Sequence, residues 1–321
     1  MQAITYSRFG GPDVLNITEV DTPLVGPAEV LIRVRAAAVN PVDWKIMAGH
    51  LDGLLPTRFP VVPGWDVAGV VEEVGLDTPE YRVGDEVIGY VRKDWVQGGT
   101  MAEFVTAPVR TIAPRPLGLS WEESAGLPLA GLTALQTLRR VHVGRTDTVL
   151  VHGAAGGVGA VAVQLALAAG ARVIATASSQ RHADLAAIGA EPVAYGEGLA
   201  ERVLELAPEG CTVVADYVGA VLEPSLHVLV DGGRLLSIAD PAVLRHDGEY
   251  MWVRPDAGDL VELARLAELG TVRVRVAETF PLDRAADAYR ASIEGHPYGK
   301  LVVRMPDQGL DGGRDAAPAR M

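Results

Sequence analysis

Thr148-Val-Leu-Val-His-Gly-Ala-Ala-Gly-Gly-Val-Gly159 runs without a break into Ala160-Val-Ala-Val-Gln-Leu-Ala-Leu-Ala-Ala-Gly170. Val149 to Val151 is a short β-branched apolar run, as a buried parallel strand requires. A turn of small residues follows, then an Ala/Val/Leu helix stopped at Gly170. A second apolar run, Ala171-Arg-Val-Ile-Ala-Thr176, comes next. Strand, glycine turn, helix, strand is the βαβ unit of a dinucleotide-binding domain. The fingerprint Gly-x-Gly-x-x-Gly is present with Ala154 at its first position, and the strand before and helix after it supply the confirming context. Gly156 lets the backbone approach a pyrophosphate, and Gly159 lets helix and strand pack closely. The helix N-terminus at Ala155, Gly156, Gly157 and Val158 offers N–H groups and a positive dipole end to the phosphates.

Working outward, strands and helices keep alternating. Val149–His152, Val173–Thr176, Pro192–Tyr195, Val213–Asp216 and Arg234–Ile238 read as strands. The segments 157–169, 180–188, 199–207 and 220–230 read as helices, and Tyr250–Val253 as a sixth strand. Upstream, Ser120-Trp-Glu-Glu123 is a capping box. Residues 1 to about 120 are β-rich instead. Ala3–Tyr6, Val30–Val39, Val67–Val74 and Gly99–Thr106 alternate or are β-branched, with Gly/Pro clusters between them. After the helix Asp259–Leu269, the stretch Thr271–Val276 alternates again. A helix Leu282–Ile293, a strand Lys300–Arg304 and a tail at 306–321 complete the pattern. The reading is α/β: a doubly wound parallel sheet, 121–270, inserted into a β-rich unit made of 1–120 and 271–321.

The chain has 321 residues, 49% of them apolar, and a formal charge of −13 from 28 Lys+Arg against 41 Asp+Glu. That charge argues against nucleic acid and anionic membranes as partners. A single cysteine, Cys211, excludes an intrachain disulfide and a cysteine-based structural zinc site. With no signal-peptide pattern and no apolar run near the roughly 20 residues of a membrane span, the expected location is the cytoplasm. His50, His152 and His182 are scattered and read as turn or surface residues.

An NAD-binding site wants Asp or Glu at the end of the second strand, about 20 residues past the glycine turn. Here Thr176-Ala-Ser-Ser-Gln-Arg181 stands there. Ser178, Ser179 and Arg181 suit a 2′-phosphate, which points to NADPH. The loop Ser237-Ile238-Ala239 lies at the same sheet edge and is placed to flank the nicotinamide. Asn40, Asp43 and Lys45 form a polar cluster right after a strand. Asn40 can bond a substrate carbonyl or the nicotinamide ribose, and Lys45 can stabilise an enolate; a local Asp43–Lys45 ion pair is the structural alternative. Trp44, Trp65, Trp95 and Trp252 are candidates to line an apolar cleft, with simple core packing the equal alternative for each.

The domain order, with Asn40-Pro-Val-Asp-Trp-Lys45, Pro63-Gly-Trp-Asp-Val-Ala-Gly-Val-Val71, Tyr81-Arg-Val-Gly-Asp-Glu-Val87, Ala130-Gly-Leu-Thr-Ala-Leu-Gln136 and Ala154-Ala-Gly-Gly-Val-Gly159, resembles the medium-chain dehydrogenase/reductase superfamily. The form of the glycine turn resembles its quinone oxidoreductase branch, the relatives of zeta-crystallin. The resemblance covers Met1 to about Arg304. It implies a Rossmann domain inserted into a GroES-like catalytic domain, a cofactor contact at Thr133, a tyrosine beside the 2′-phosphate at Tyr195, and a homodimer. The zinc enzymes of the superfamily carry Cys where this chain has Asn40 and Gly-His-Glu where it has Gly64-Trp65-Asp66. Their four-cysteine lobe is replaced by Arg92-Lys-Asp-Trp-Val-Gln-Gly-Gly99. The expected metal is therefore none.

Without a Lewis acid, an unactivated alcohol is hard to oxidise, whereas hydride transfer to an electron-poor carbon needs only donors for the developing oxyanion. The expectation is a zinc-independent, NADPH-dependent reductase of a quinone or α,β-unsaturated carbonyl. The alternatives are a stand-alone enoyl reductase on thioester-bound polyketide or acyl chains, and a NADPH-binding structural or sensor protein without turnover.

Overall fold

The computed structural model describes residues 1–295 and 297–306. The N-terminal part comprises β1 (Gln2–Thr5), β2 (Asn16–Glu19), β3 (Glu29–Val39), α1 (Pro41–Met47), β4 (Thr57–Val62), β5 (Asp66–Val74), β6 (Glu86–Tyr90), β7 (Val96–Gly98), β8 (Phe104–Pro108) and β9 (Ile112–Pro114). Two helices, α2 (Trp121–Gly126) and α3 (Pro128–Arg140), lead into the second domain. The capping box holds: Ser120 Oγ accepts from the Glu123 N–H at 3.1 Å and Glu123 Oε2 from the Ser120 N–H at 2.9 Å.

The second domain alternates β10 (Thr148–His152), α4 (Gly157–Ala168), β11 (Arg172–Ala177), α5 (His182–Ala187), β12 (Glu191–Ala194), α6 (Leu199–Leu206), β13 (Cys211–Asp216), α7 (Leu222–Val228), β14 (Leu229–Ser237) and β15 (Glu249–Tyr250), followed by α8 (Ala257–Glu268). All six strands are parallel, in the order β12-β11-β10-β13-β14-β15. Counted from β10 this is 3-2-1-4-5-6, the doubly wound order with its switch point between β10 and β13. Strand residues such as Val149, Val151, Val213 and Ala215 are fully buried, as a sheet covered on both faces requires.

The chain then returns to the first sheet through β16 (Val276–Pro281), α9 (Ala285–Glu294) and β17 (Lys300–Arg304). That seven-stranded sheet runs β16-β17-β3-β5-β6-β9, with β8 also on β3. One edge of β3 is shared: β8 takes its first half, Glu29 to Arg33, and β17 its second, Ala36 to Val39. The register Leu301↔Val39 brings Lys300, the first residue of β17, level with Asn40. On the other edge Ala36↔Ala68 brings Asp66, the start of β5, to the same end of β3.

Four readings need correction. The strand expected at Thr271–Val276 lies at Val276–Pro281. The alternating Val272 and Val274 are buried, but they fill space under α2 without pairing: a Cβ on Gly126 would come within 2.8 Å of Val274. The strand expected at Gly99–Thr106 begins only at Phe104. Gly99 sits where a Cβ would meet three carbonyl oxygens, of Val62, Pro63 and Gly64, at 2.4–2.5 Å, so this backbone serves a close crossing and not a ladder. The sixth parallel strand is Glu249–Tyr250, not Tyr250–Val253. His152 is no surface residue. It is fully buried at the end of β10, 3.1 Å from Ser225 Oγ, and burial pushes its pKa down to about 4. The tail beyond Pro306 lies outside the described residues.

Candidate active site

Three strand ends meet at one buried point. Asn40 follows β3 as the N-cap of α1, with Pro41 at the first helical position, where its missing N–H costs nothing. Asp43, in the first turn, accepts the Asn40 backbone N–H at 2.8 Å. Asn40 Nδ2 donates to Asp66 Oδ2 at 2.9 Å, and Asp66 Oδ1 accepts the Leu129 N–H at 2.8 Å. Lys300 Nζ donates to Asn40 Oδ1 and lies 3.6 Å from Asp66 Oδ2. Asn40, Asp43, Asp66 and Lys300 are all buried.

Burial pushes the Asp66 carboxyl up and the Lys300 ammonium down, and their attraction works against both shifts. Burial also raises Asp43 to about 7; the Asn40 N–H pulls it down, Asp66 pushes it up and Lys300 pulls it down. Asp43 borders a cavity of about 10 Å³ shared with Tyr6, Gly64 and Trp65, room for roughly one water and not for a substrate.

Of the expected Asn40/Asp43/Lys45 cluster, the fold brings Asn40 and Asp43 together and leaves Lys45 outside. Lys45 is exposed, its ammonium 5.7 Å from the Trp44 ring centroid. Residues two apart on a helix do not share a face, so with Asp43 turned inward Lys45 must turn out. The cation of the cluster is Lys300. Of the tryptophans, Trp65 is buried edge-on to Tyr90, Trp95 stacks under the Arg58 guanidinium, and Trp252 lines an interdomain cleft.

On the Rossmann side, β10 ends in Gly153, whose φ of +70° suits glycine and whose N–H donates to Thr176 Oγ1 at 3.2 Å. A Cβ at Gly159 would stand 2.2 Å from the Gly153 carbonyl oxygen, the close approach the sequence implied. Gly156 caps α4 without a side chain, and Ala155, Gly156, Gly157 and Val158 are partly exposed. The first-turn N–H groups are therefore left for an external acceptor. This cradle fits a pyrophosphate.

Ala177 and Ala194 are register partners, so Ser178 and Tyr195 emerge side by side from β11 and β12. Ser179 and Tyr195 are exposed and Ser178 and Arg181 half-buried. The Arg181 guanidinium lies 4.0 Å from the Tyr298 ring centroid, with Arg275 at 3.9 Å from the same ring. Ser237 is fully buried. It donates to Asp216 Oδ2 at 2.7 Å and accepts the Ala239 and Asp240 N–H groups, so it shapes the loop while Ile238 and Ala239 reach the surface. Thr133 is buried with its hydroxyl donated to the Leu129 carbonyl at 2.6 Å.

Residues 26–117 match the family described as the alcohol dehydrogenase GroES-like domain, and residues 188–303 the one described as zinc-binding dehydrogenase. The structure of the quinone oxidoreductase from Coxiella burnetii superposes with a TM-score of 0.85 at 33% identity, covering 95% of this chain and 99% of that one. The chain belongs to the quinone oxidoreductase branch of the medium-chain dehydrogenase/reductase superfamily. The NADPH-dependent alkenal/one oxidoreductase of Arabidopsis thaliana is 33% identical over 94% of this chain and 79% of its own length. The mycobacterial protein Rv1454c, solved in complex with NADPH, gives a TM-score of 0.81 at 33% identity, with coverage of 95% and 100%. The branch binds NAD(P)H and reduces quinones and alkenals.

The zinc in one family description does not fit this site. At the places of the zinc ligands stand the Asn40 amide, the Trp65 indole and Asp66. Both oxygens of Asp66 already accept hydrogen bonds, and the Lys300 ammonium fills the space between. Among the described residues no group of three His, Cys, Asp or Glu side chains could hold a metal ion.

Asp66, Lys300, Arg275 and Tyr298 were missed at the sequence level. The usable signal was a charged residue opening an otherwise apolar strand, as in Trp65-Asp-Val-Ala and Gly299-Lys-Leu-Val-Val.

Proposed function

We propose that the protein is a NADPH-dependent reductase of quinones and α,β-unsaturated carbonyls that works without zinc. The observation that carries this reading is the held amide of Asn40. Lys300 and Asp66 fix which end is oxygen and which is nitrogen, and the amide keeps one N–H beyond the bond to Asp66. The Lys300 stem lies against the glycine turn, where a Cβ on Gly157 would come within 2.9 Å of its Cδ. Asn40 is therefore one lysine side chain away from the cradle that holds the pyrophosphate.

Bound NADPH supplies the hydride. The free Asn40 N–H donates to the substrate oxygen, where the displaced electron pair arrives, and the buried Lys300 charge stabilises that oxygen without direct contact. Trp65, packed on Tyr90, borders the water-sized cavity beside Asp43. The proton that completes reduction comes from solvent, since Asp43 borders only a water-sized cavity. Ser178, Ser179, Arg181 and Tyr195 take the 2′-phosphate, and the preference for NADPH over NADH follows from the guanidinium.

The test follows NADPH absorbance with an enone and a benzoquinone before and after chelation. Turnover is expected to survive chelation. Asn40→Ala is expected to lower kcat/KM by about tenfold to a thousandfold, the range for one oxyanion donor, with NADPH affinity within a few fold. Unchanged turnover per folded molecule would remove Asn40 from the site, and activity lost on chelation would overturn the metal-free reading.

A further inference from the structure

A cleft of about 520 Å³ opens between the domains, walled by Leu54, Leu55, Arg92, Lys93, Arg110 and Trp252. This volume suits a drug-sized ligand, and a bare enone or benzoquinone would leave most of it unfilled. Its lining is amphipathic. Leu54 and Trp252 are large apolar side chains exposed to solvent, at 71% and 45%. Three cations face a single carboxylate, Asp94, in a chain whose formal charge is −13. Arg110 is exposed on the turn between β8 and β9, and among the described residues its guanidinium has no hydrogen-bond or ion-pair partner. Arg92 lies 5.8 Å over the Tyr90 ring, and Lys93 donates to Thr106 Oγ1 at 2.7 Å. Lys93 also borders the small cavity at Asp43 and Trp65, so the cleft and that cavity share one wall.

We propose that this cleft receives the anionic tail of an extended substrate: an electron-poor alkene whose far end carries phosphate or carboxylate, held by Arg92 and Arg110 with its spacer on Leu54, Leu55 and Trp252. The inference rests on the reductase reading for the alkene, while the anion site itself rests on the cleft alone. Guanidinium groups favour oxyanions through paired, charge-assisted hydrogen bonds. A local excess of positive charge on an acidic protein selects such a tail at close range, within a screening length of about 10 Å.

Two matched pairs test it: crotonyl-pantetheine 4′-phosphate against crotonyl-pantetheine, and 4-oxopent-2-enoate against its methyl ester. Affinity is measured by calorimetry on protein saturated with NADP⁺, and turnover with NADPH. The charged member of at least one pair is expected to bind at least about tenfold more tightly. The pair that shows it identifies the tail as phosphate or carboxylate. The advantage should shrink between about 50 and about 300 mM salt, and collapse in Arg110→Ala and in Arg92→Ala, each checked for an unaltered melting temperature. Equal affinity within both pairs, or a charge preference that survives both substitutions, overturns the inference. Binding with charge preference but no oxidation of NADPH by any of the four would sink the reductase reading and leave the anion site standing. Reduction without charge preference would do the reverse.

Discussion

Lys300 is the residue on which the site turns. It is the cation within reach of Asp66, and its stem occupies the space beside Gly126 and Gly157. Lys300→Met should leave the Asp66 charge buried without its partner, at a cost of about 3–5 kcal/mol, read as a fall in melting temperature. Adding Asp66→Asn removes the stranded charge and should restore most of the stability. It should not restore kcat/KM, because the charge behind the Asn40 amide is still gone. Recovery of both together would make Lys300 a packing residue only. Asp43 carries a pH signature. Its pKa is raised from an ordinary carboxylate value to about 7 in the folded protein, so its stability contribution is fully present below the unfolded pKa of about 4 and is lost as pH rises through 7. The groups facing it are Asp66, Lys300, Tyr6, Tyr90 and Tyr289. Asp43→Asn keeps an acceptor for the Asn40 N–H and abolishes the titration. Its stability, read as melting temperature, should therefore gain on the parent's between pH 5 and pH 7, on the order of 1 kcal/mol. Parallel curves for the two proteins would show that Asp43 does not titrate there. His152 acts in the opposite sense, favouring the fold above about pH 6.5 and weakening it as pH falls toward 4, so it is the comparison with the variant that isolates Asp43.

At the scale of elements, the β10–α4–β11 unit was legible because its signals are local: an apolar run, four glycines in seven residues and a helix stop. The pairing of β11 with β12 is what makes Ser178 and Tyr195 neighbours, and it was implied by the alternation alone. Arg181→Ala should raise the NADPH dissociation constant by about tenfold to a hundredfold, the loss of one charge-assisted bond of roughly 1.5–3 kcal/mol, and leave NADH binding unchanged in fluorescence titrations. An equal loss for both cofactors would mean that Arg181 holds Tyr298 and not a phosphate. The misreadings at Thr271–Val276 and Gly99–Thr106 share a cause. Alternation reports that side chains are buried by turns, and a loop threaded under α2 or across the Val62–Gly64 backbone buries them as well as a ladder does.

For the whole molecule, the order of domains was readable and the site was not. Asn40, Asp66, Leu129 and Lys300 meet only because β3, β5 and β17 converge at one end of a sheet, and no window of sequence contains that register. Asp43 and Lys45 illustrate the same point from the other side: two residues apart in sequence, opposed on α1. The parallel sheet ends in β15, a two-residue edge strand with Tyr250 half-buried. An open edge of this kind is completed most simply by its own copy across a two-fold axis, and we propose a homodimer formed there. Light scattering at micromolar concentration should give twice the mass of the chain, and Tyr250→Asp should give the monomer; a monomeric parent would contradict the proposal.

The position of β17 also sets an order of events during synthesis. The parallel sheet is made from one continuous stretch and can close as it leaves the ribosome, domain by domain. The first sheet is begun earlier and finished later, because the strand that fills the second half of β3's edge is translated after the entire Rossmann unit. Until it arrives, Asp43 and Asp66 have no buried cation and the end of β3 has no partner. The glycine turn before α4 is therefore complete in the chain before the Asn40, Asp66 and Lys300 cluster is. The cluster at the end of β3 is completed only when that one late strand docks.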